Sequence, residues 1–301
     1  MDVLRIGAKN DSVRTLQIIL NQRGYKIDVN GVFDDKTEDA VIDFQNKAKL
    51  KADGIVGKMT WTALLNNEVE DFVSAINTTS YLVNEFSYYK EIFLKKNIVL
   101  HHTNGWTVVK GTKDKPSMNH VGWWNSRNTE EFTAKNGRVS TAFSIDYAGN
   151  IYQHFDPKYW AYHLGLGRSK NFLDKQSIGI ELCNEGSMKK IGNKFFWYSG
   201  KVAIPYNRIN DTPFYYEKGW RGYYYFAPYS KQQIDATVWL LKYLCREYNI
   251  KSNFIDNCEY NPEEIFSNKY EGIYNHANVR LDKEDLSPAF PFKDVAARLM
   301  D

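Results

Sequence analysis

The stretch NIVLHHT, residues 97–103, decides the fold of the larger part of the chain. Its short apolar run is typical of a buried strand, and the two histidines stand where such a strand ends. Because side chains alternate along a strand, His101 and His102 are expected to point to opposite faces of the sheet. At a strand end, one of them can reach a cleft. This stretch therefore predicts a sheet that carries polar side chains at its edge.

Strands and helices alternate from Asn97 to the end of the chain. AFSIDYAGNIYQ predicts a hairpin that turns near Ala148 and Gly149, and SIGIEL and EGIYNH predict further strands. The span 231–248 predicts a helix whose apolar stripe holds Ile234, Val238, Leu241 and Cys245. This alternation predicts an α/β fold with a mixed central sheet flanked by helices.

The first 66 residues are expected to form a domain of their own, built from three helices. Asp11 is expected to cap the first helix and Gly24 to end it, with an inward face of Val13, Leu16 and Leu20. A second helix is expected from Thr37 to about Lys47, with an inward face of Ala40, Val41 and Phe44. A third, short helix is expected over residues 59–65.

An internal repeat separates these helices. NGVFDDKT, residues 30–37, matches DGIVGKMT, residues 53–60, and turn chemistry explains both copies as structural elements. With VRTLQIILNQRGY and KADGIVGKMTWTALL, the repeat makes the segment resemble the three-helix peptidoglycan-binding domain of wall hydrolases. That resemblance implies attachment to the bacterial wall. Residues 67–96 are expected to be a linker or a packing helix, and residues 97–301 a catalytic domain.

Composition excludes several classes of protein. The net charge of +3, from 39 basic and 36 acidic residues, is too small to predict a nucleic-acid partner. Three cysteines without CxxC spacing predict buried, reduced thiols. No apolar run approaches the roughly 20 residues that span a bilayer, and the N-terminal residues do not have the pattern of a signal peptide. We therefore expect neither membrane insertion nor signal-directed export.

Four ordered stretches carry a second resemblance: IVLHHT, the segment from AFSIDYAGNIYQ to AYHLG, QSIGIEL, and NHANVRLDKEDLSPAFPF. They make the region from Asn97 onward similar to the type 2 N-acetylmuramoyl-L-alanine amidases, whose fold is shared with phage lysozyme-type amidases and animal peptidoglycan-recognition proteins. The resemblance implies a zinc enzyme that cuts the amide between N-acetylmuramic acid and L-alanine.

The same resemblance implies a ligand set for Zn²⁺. It places His101, His276 and Asp285 on the metal, and three protein ligands with water in the fourth position are the arrangement of catalytic zinc. The segment after His276 is one residue shorter than in the acidic members of the family, so Asp282 competes with Asp285 for the third position.

Three further roles follow from the resemblance. Glu181 stands where the wall-recycling amidases keep a catalytic acid, with an exposed strand carboxylate as the alternative. Lys283 matches a lysine that steadies the charged intermediate, with a solvated surface lysine as the alternative. His163 matches a histidine beside the substrate, so we assign it to substrate binding.

The aromatic stretch 184–229 is longer than the family pattern requires. It either lines a groove for glycan or stem peptide, or packs its aromatic side chains into a small core of its own.

The biological setting follows from these expectations. Bacterial peptidoglycan is the expected partner, and the protein is expected to be a monomer. A phage endolysin, made in the host cytoplasm and released to the wall, is the first hypothesis. The alternatives are a non-catalytic recognition protein, a cytosolic recycling amidase, and a toxin or autolysin delivered by another route.

Overall fold

The computed structural model describes residues 3–48, 50–57, 59–61, 63–64, 76–103, 119–199, 202–206 and 211–300. The chain divides into two compact units, Met1–Ala75 and Ile76–Asp301. Residues 65–75, which hold the expected end of the third helix and part of the expected connection, lie outside the described residues. Residues 76–96 carry one two-residue strand and otherwise irregular backbone.

The N-terminal unit contains helix α1 (Asp11–Gln22) and helix α2 (Asp35–Lys47), followed by helical residues at 59–61 and 63–64. The expectation that Asp11 caps α1 was wrong by one residue. The side chain of Asn10 accepts the N–H of Val13 at 3.0 Å, because its extended backbone lets the short side chain fold back over the first turn. The predicted inward faces are confirmed, since the six residues named for both helices are buried.

Two buried glutamines explain the internal repeat. The side-chain oxygen of Gln17 accepts the N–H groups of Asn30 and Gly31, and its amide donates to the carbonyl of Val32 at 2.9 Å. Gln45 does the same for the second copy: its oxygen accepts the N–H of Gly54, and its amide donates to the carbonyl of Ile55, the hydroxyl of Thr60 and the carboxylate of Asp53. Each glutamine thus satisfies the polar backbone of one repeated loop.

The second unit is built on a mixed sheet, which confirms the predicted fold class. Among the described residues, six strands lie in the order β1-β4-β3-β5-β2-β11. Strands β3 and β4 are antiparallel, and the other neighbouring pairs are parallel. The strands are β1 (Ile76–Asn77), β2 (Asn97–His102), β3 (Phe143–Ile145), β4 (Ile151–Gln153), β5 (Ser177–Leu182) and β11 (Gly272–Asn275).

Helices flank this sheet. They are α3 (Asn119–Arg127), α4 (Glu130–Asn136), α5 (Asn171–Gln176), α6 (Lys231–Glu247), α7 (Glu263–Phe266), α8 (His276–Val279) and α9 (Phe292–Met300), with a 3-10 turn at Arg168–Lys170. The predicted hairpin at Gly149 and the predicted long helix are both confirmed, and α6 buries its four expected stripe residues. None of the described helices has the length and apolar character needed to cross a membrane.

Alternation along β2 divides its side chains between two hydrophobic cores. Ile98 and Leu100 belong to the large core that includes α6, whereas Val99 belongs to the smaller core on the opposite face. The face of Val99 is also the face of His101, so His102 points the other way, as the strand period predicts. The phenol of Tyr229 lies 2.9 Å from Nδ1 of His102.

The aromatic insertion forms a sheet of its own. In its described part, strands lie in the order β8-β7-β6-β10-β9, and each neighbouring pair is antiparallel. They are β6 (Ser187–Ile191), β7 (Lys194–Ser199), β8 (Val202–Pro205), β9 (Phe214–Trp220) and β10 (Tyr223–Phe226). Trp220 and Phe226 are buried in the large core of the domain, while Tyr215 and Tyr224 are exposed, so the sheet packs one part of its aromatic side chains inward and presents another part to solvent.

Candidate metal centre

Three chain segments converge where the central sheet ends. His101 is near the end of β2, and the register of the neighbouring parallel strand pairs Leu100 with Asn275. His276 therefore follows directly beside His101, where β11 gives way to α8. The carbonyl of Asp285 accepts the N–H of Ala277 at 2.7 Å, which fixes the following loop against the same helix.

The inward atoms of these segments form a nearly equilateral triangle. Nδ1 of His101 lies 3.1 Å from Nδ1 of His276 and 3.1 Å from Oδ2 of Asp285. The third side, from Nδ1 of His276 to the same carboxylate oxygen, is 3.0 Å. All three residues are buried. Asp285 therefore forms the third corner of the triangle, whereas Asp282 forms an exposed ion pair with Arg280.

The outward nitrogens of both imidazoles already have partners. Nε2 of His276 lies 2.9 Å from the carbonyl oxygen of Leu164, so it must carry the proton. Nε2 of His101 lies 2.9 Å from Nδ1 of His163. Neutral imidazoles with protonated outward nitrogens have bare inward nitrogens, and the carboxylate also has only lone pairs to offer. In that state the three acceptors repel one another, and a proton or a metal cation among them removes the repulsion.

The donor set fits a zinc ion. Zinc binds imidazole nitrogen and carboxylate oxygen at about 2.0–2.2 Å in tetrahedral sites, which spaces the ligand atoms roughly 3.4 Å apart. The observed separations of 3.0–3.1 Å need only a small expansion to reach that spacing. His101, His276 and Asp285 can therefore hold a metal ion as they stand.

Burial and neighbouring charge set the protonation states at the centre. Burial lowers the pKa of His101 to about 4, although the neighbouring carboxylate of Asp285 opposes the shift. For Asp285, burial raises the pKa, but the two histidines more than offset it and leave the pKa well below its usual value. At neutral pH the centre therefore offers an uncharged imidazole and a carboxylate.

Glu181 lies next to the centre on the neighbouring strand. The parallel register pairs it with His101, so both side chains share one face of the sheet. Burial and then the charge of Asp285 raise the pKa of Glu181 to about 8, while the charge of Lys283 acts in the opposite direction. Its Oε2 atom has no hydrogen-bond partner among the described residues. Glu181 and Lys283 thus lie within electrostatic reach of each other and of the ligand cluster.

His163 lies behind the metal centre, with both ring nitrogens in contact with protein atoms. Nδ1 faces His101, and Nε2 lies 2.8 Å from the hydroxyl of Ser177. The carboxylate of Asp174 accepts the backbone N–H groups of His163 and Leu164 at 2.8 and 2.9 Å. Burial raises the pKa of Asp174 to about 6, and these two hydrogen bonds oppose the shift.

Sequence reasoning missed Ser177 and Asp174. The one sequence signal for this region was Gly179, a glycine inside a strand. Glycine inside a strand often marks a close approach by another group. A Cβ on Gly179 would lie 3.2 Å from Cγ of His163 and 2.9 Å from Cγ2 of Thr141. Ser177, Gly179 and Glu181 alternate on one face of β5, so a single strand face contacts His163 and the metal centre.

The other histidines lie in separate hydrogen-bonded pairs or chains. Nε2 of His120 lies 2.7 Å from the hydroxyl of Ser144, which in turn lies 2.6 Å from Nε2 of His154. Nδ1 of His154 lies 2.8 Å from the carbonyl of Tyr81. The structure does not bring these two histidines to the ligand triangle.

The aromatic insertion reaches the ligand helix through one arginine. Arg221, in the turn between β9 and β10, donates to the carbonyls of Ala277 and Arg280 at 3.0 and 2.9 Å. These carbonyls belong to α8 and its C-terminal cap, the helix that begins with His276. The insertion therefore helps to hold one side of the metal centre in place.

Several solved structures are similar to parts of this chain. A peptidoglycan-binding protein from Clostridioides difficile is 41% identical over 21% of this chain and 40% of its own, with a TM-score of 0.21. The endolysin of Burkholderia phage AP3 is 38% identical over 21% of this chain and 24% of its own, with a TM-score of 0.21. The match thus spans less than half of the length of each of these two relatives.

Another solved structure is similar over a larger share of the chain. The N-acetylmuramoyl-L-alanine amidase LysC from Clostridium intestinale is 15% identical over 73% of this chain and 96% of its own, with a TM-score of 0.38.

Two family models match the sequence in succession. Residues 9–64 match a peptidoglycan-binding domain, and residues 93–288 match N-acetylmuramoyl-L-alanine amidase. The second match covers more than half of the 301 residues and includes all three corners of the ligand triangle. The chain therefore belongs to the N-acetylmuramoyl-L-alanine amidase family, with a peptidoglycan-binding domain ahead of its amidase domain.

Proposed function

We propose that the protein is a zinc-dependent amidase that hydrolyses the bond between N-acetylmuramic acid and L-alanine in bacterial peptidoglycan. The observation that carries the proposal is the triangle of acceptor atoms from His101, His276 and Asp285, each about 3 Å from the other two. Two neutral imidazoles and one carboxylate leave the fourth position of a tetrahedral zinc open for water or substrate, which is the arrangement that hydrolysis requires.

When bound, zinc supplies a Lewis acid and a water whose pKa is lowered to about 7. In this proposal Glu181 takes a proton from the attacking water and passes it to the departing amine of L-alanine. Its carboxyl shares one face of the sheet with His101, which keeps it close to the proposed zinc site. Lys283 contributes positive charge where negative charge develops on the substrate carbonyl.

The N-terminal unit serves as a tether in this proposal. A module bound to an insoluble polymer raises the local concentration of substrate around the amidase domain without changing the chemistry. A wall-binding module joined to a wall-cutting domain suits work on intact peptidoglycan. We assign the protein to the phage endolysins on this basis, acting as a monomer after release to the wall.

The test is mass spectrometry of bacterial sacculi digested by the full-length chain. The expected products are glycan strands with free lactyl carboxylates and stem peptides with free L-alanine amines. Digestion should stop when the protein is depleted of metal by a chelator and resume on addition of Zn²⁺. New reducing ends, or new termini within the stem peptide, would refute the assigned bond. Binding to sacculi without any new termini would instead establish a non-catalytic recognition protein.

A further inference from the structure

The geometry points to the dipeptide His163–Leu164 as the positioning element for both ligand histidines. The side chain of His163 hydrogen-bonds to His101, and the backbone carbonyl of Leu164 hydrogen-bonds to His276. These two adjacent residues thus set which nitrogen of each ligand ring is bare. The inference rests on the proposed zinc site, because a bare Nδ1 is what a metal ion requires. It gives His163 a positioning role in place of the substrate contact that the sequence resemblance implies.

The first branch is the hydrogen-bonded chain that runs from Ser177 through His163 to His101. The direction of each hydrogen bond can be followed from the Ser177 end. The hydroxyl of Ser177 donates to the carbonyl of Leu173 at 2.7 Å, which uses its one proton. The same oxygen must therefore accept from Nε2 of His163 at 2.8 Å. Nδ1 of a neutral His163 is then an acceptor, and it takes the proton of Nε2 of His101 at 2.9 Å. This chain leaves Nδ1 of His101 without a proton.

The second branch is shorter and reaches the same result. Nε2 of His276 lies 2.9 Å from the carbonyl oxygen of Leu164, which can only accept. In its neutral form, His276 therefore carries its proton on Nε2 and leaves Nδ1 bare. The guanidinium of Arg280 donates to the carbonyls of Leu164 and Gly165 at 3.3 and 3.1 Å, which restrains this stretch of backbone from a second side.

The dipeptide is itself fixed in place. One carboxylate oxygen of Asp174 accepts the N–H groups of both of its residues, so neither peptide unit can rotate without breaking a buried hydrogen bond. Gly179 leaves the space in which the imidazole of His163 lies, since a Cβ there would be 3.2 Å from the ring. The ring therefore has little freedom to turn away from His101.

Loss of the first branch should affect His101 alone. Without an acceptor at Nδ1 of residue 163, the outward nitrogen of His101 no longer has to carry the proton, and its Nδ1–H form gains population. That form cannot bind zinc through Nδ1. Partners that orient metal-binding histidines are worth about 10–100-fold in metal affinity, which sets the expected size of the effect.

Three variants of the full-length chain test this inference. His163→Leu removes the acceptor at similar volume and is expected to weaken zinc binding 10–100-fold. His163→Asn keeps an oxygen near the position of Nδ1 and should restore much of the lost affinity. His154→Leu is the matched control, because it removes another buried histidine with two hydrogen bonds that has no contact with the triangle. It should leave the zinc dissociation constant unchanged.

A second measurement uses the zinc-free protein. Nitrogen-15 NMR of labelled histidines should show both His101 and His276 with the proton on Nε2. In His163→Leu, the signal of His101 should shift toward the Nδ1–H form, while His276 keeps its form because the carbonyl of Leu164 remains. If His163→Leu does not fold, Ser177→Ala removes the end of the same chain and should move the same signal.

The inference is overturned if His101 carries its proton on Nδ1 in the unsubstituted protein. It is also overturned if His163→Leu and His154→Leu bind zinc equally well. Failure of the zinc proposal gives a different result: the unsubstituted protein would not bind zinc, while the NMR signals would still report the forms of His101 and His276.

Discussion

The N-terminal unit and the metal centre both bury strongly polar side chains, and they treat them in opposite ways. Gln17 and Gln45 are buried in the first unit, where both ends of each amide hydrogen-bond to a loop of the repeat. In the metal centre, His101, His276 and Asp285 are buried equally well, yet their inward atoms face only one another among the described residues.

This difference separates a structural polar group from a functional one. A buried amide whose donors and acceptors are all paired stabilises a single loop conformation. Three converging acceptors without a proton among them repel one another, so that arrangement costs stability until a cation binds. If this comparison is correct, substitutions in the two regions should have separable effects, one on folding and the other on metal binding.

The largest expected effect comes from removing a corner of the triangle. His276→Ala is expected to weaken zinc binding by more than about a hundredfold, because loss of a ligand should exceed the 10–100-fold cost of losing a ligand's orienting partner. Competition with a chromogenic chelator measures the affinity, and release of stem peptides from sacculi measures activity. Both should fall together.

Asp282→Ala is the matched control for that experiment. Asp282 lies three residues before Asp285 but pairs with Arg280 at the surface, so its loss should leave zinc affinity and activity within about twofold. A zinc loss in Asp282→Ala as large as that in His276→Ala would show that the third ligand has been assigned to the wrong aspartate.

The second prediction concerns the buried glutamines, whose side-chain amides are hydrogen-bonded at both ends. Gln17→Leu leaves the N–H groups of Asn30 and Gly31 without their acceptor, and an unsatisfied buried polar group costs about 1–3 kcal/mol. We expect destabilisation of the N-terminal unit by roughly 2–4 kcal/mol, seen as faster hydrogen exchange across residues 30–37. Zinc affinity should not change.

Gln232→Leu supplies the comparison for this substitution, since Gln232 is exposed on α6. Unaltered exchange in Gln17→Leu would mean that the repeated loop does not depend on the buried amide. Gln45→Leu should act in the same way on residues 53–60, because Gln45 makes equivalent bonds to the second copy.

Much of the fold could be predicted from the sequence because its signals are local. The apolar periods of α2 and α6, the turn at Gly149 and the strand SIGIEL depend on neighbours within a few residues. The cap of α1 was misplaced from Asn10 to Asp11 because both residue types suit that position, and only the backbone angles distinguish them.

The metal centre shows where such reasoning ends. A family resemblance could nominate His101, His276 and Asp285, but no spacing rule relates residues so far apart in the chain. Ser177 and Asp174 carried no signal of their own, since serine at a strand start and aspartate in a short helix are ordinary. Their role depends on which way the protons point in a hydrogen-bonded chain, and that requires the three-dimensional contacts.

The third prediction is a pH dependence of stability, which is small at each pH step. Glu181 has a pKa of about 8 in the folded, zinc-free protein and an ordinary value near 4.5 when unfolded. Between these values the folded state binds the proton more tightly, so the free energy of unfolding should decrease as pH rises from about 5 to 8. One linked proton gives a slope of at most about 1.4 kcal/mol per pH unit.

Urea unfolding of the zinc-free protein at pH 5, 6, 7 and 8 measures this slope. Glu181→Gln cannot titrate, so the difference in stability between it and the unsubstituted protein should grow in favour of the variant as pH rises. Glu217→Gln removes an exposed carboxylate and should follow the unsubstituted protein at every pH. Parallel curves for Glu181→Gln and the unsubstituted protein would mean that Glu181 titrates normally. Glu181 would then be ionised at neutral pH and would behave like the exposed carboxylates of the surface.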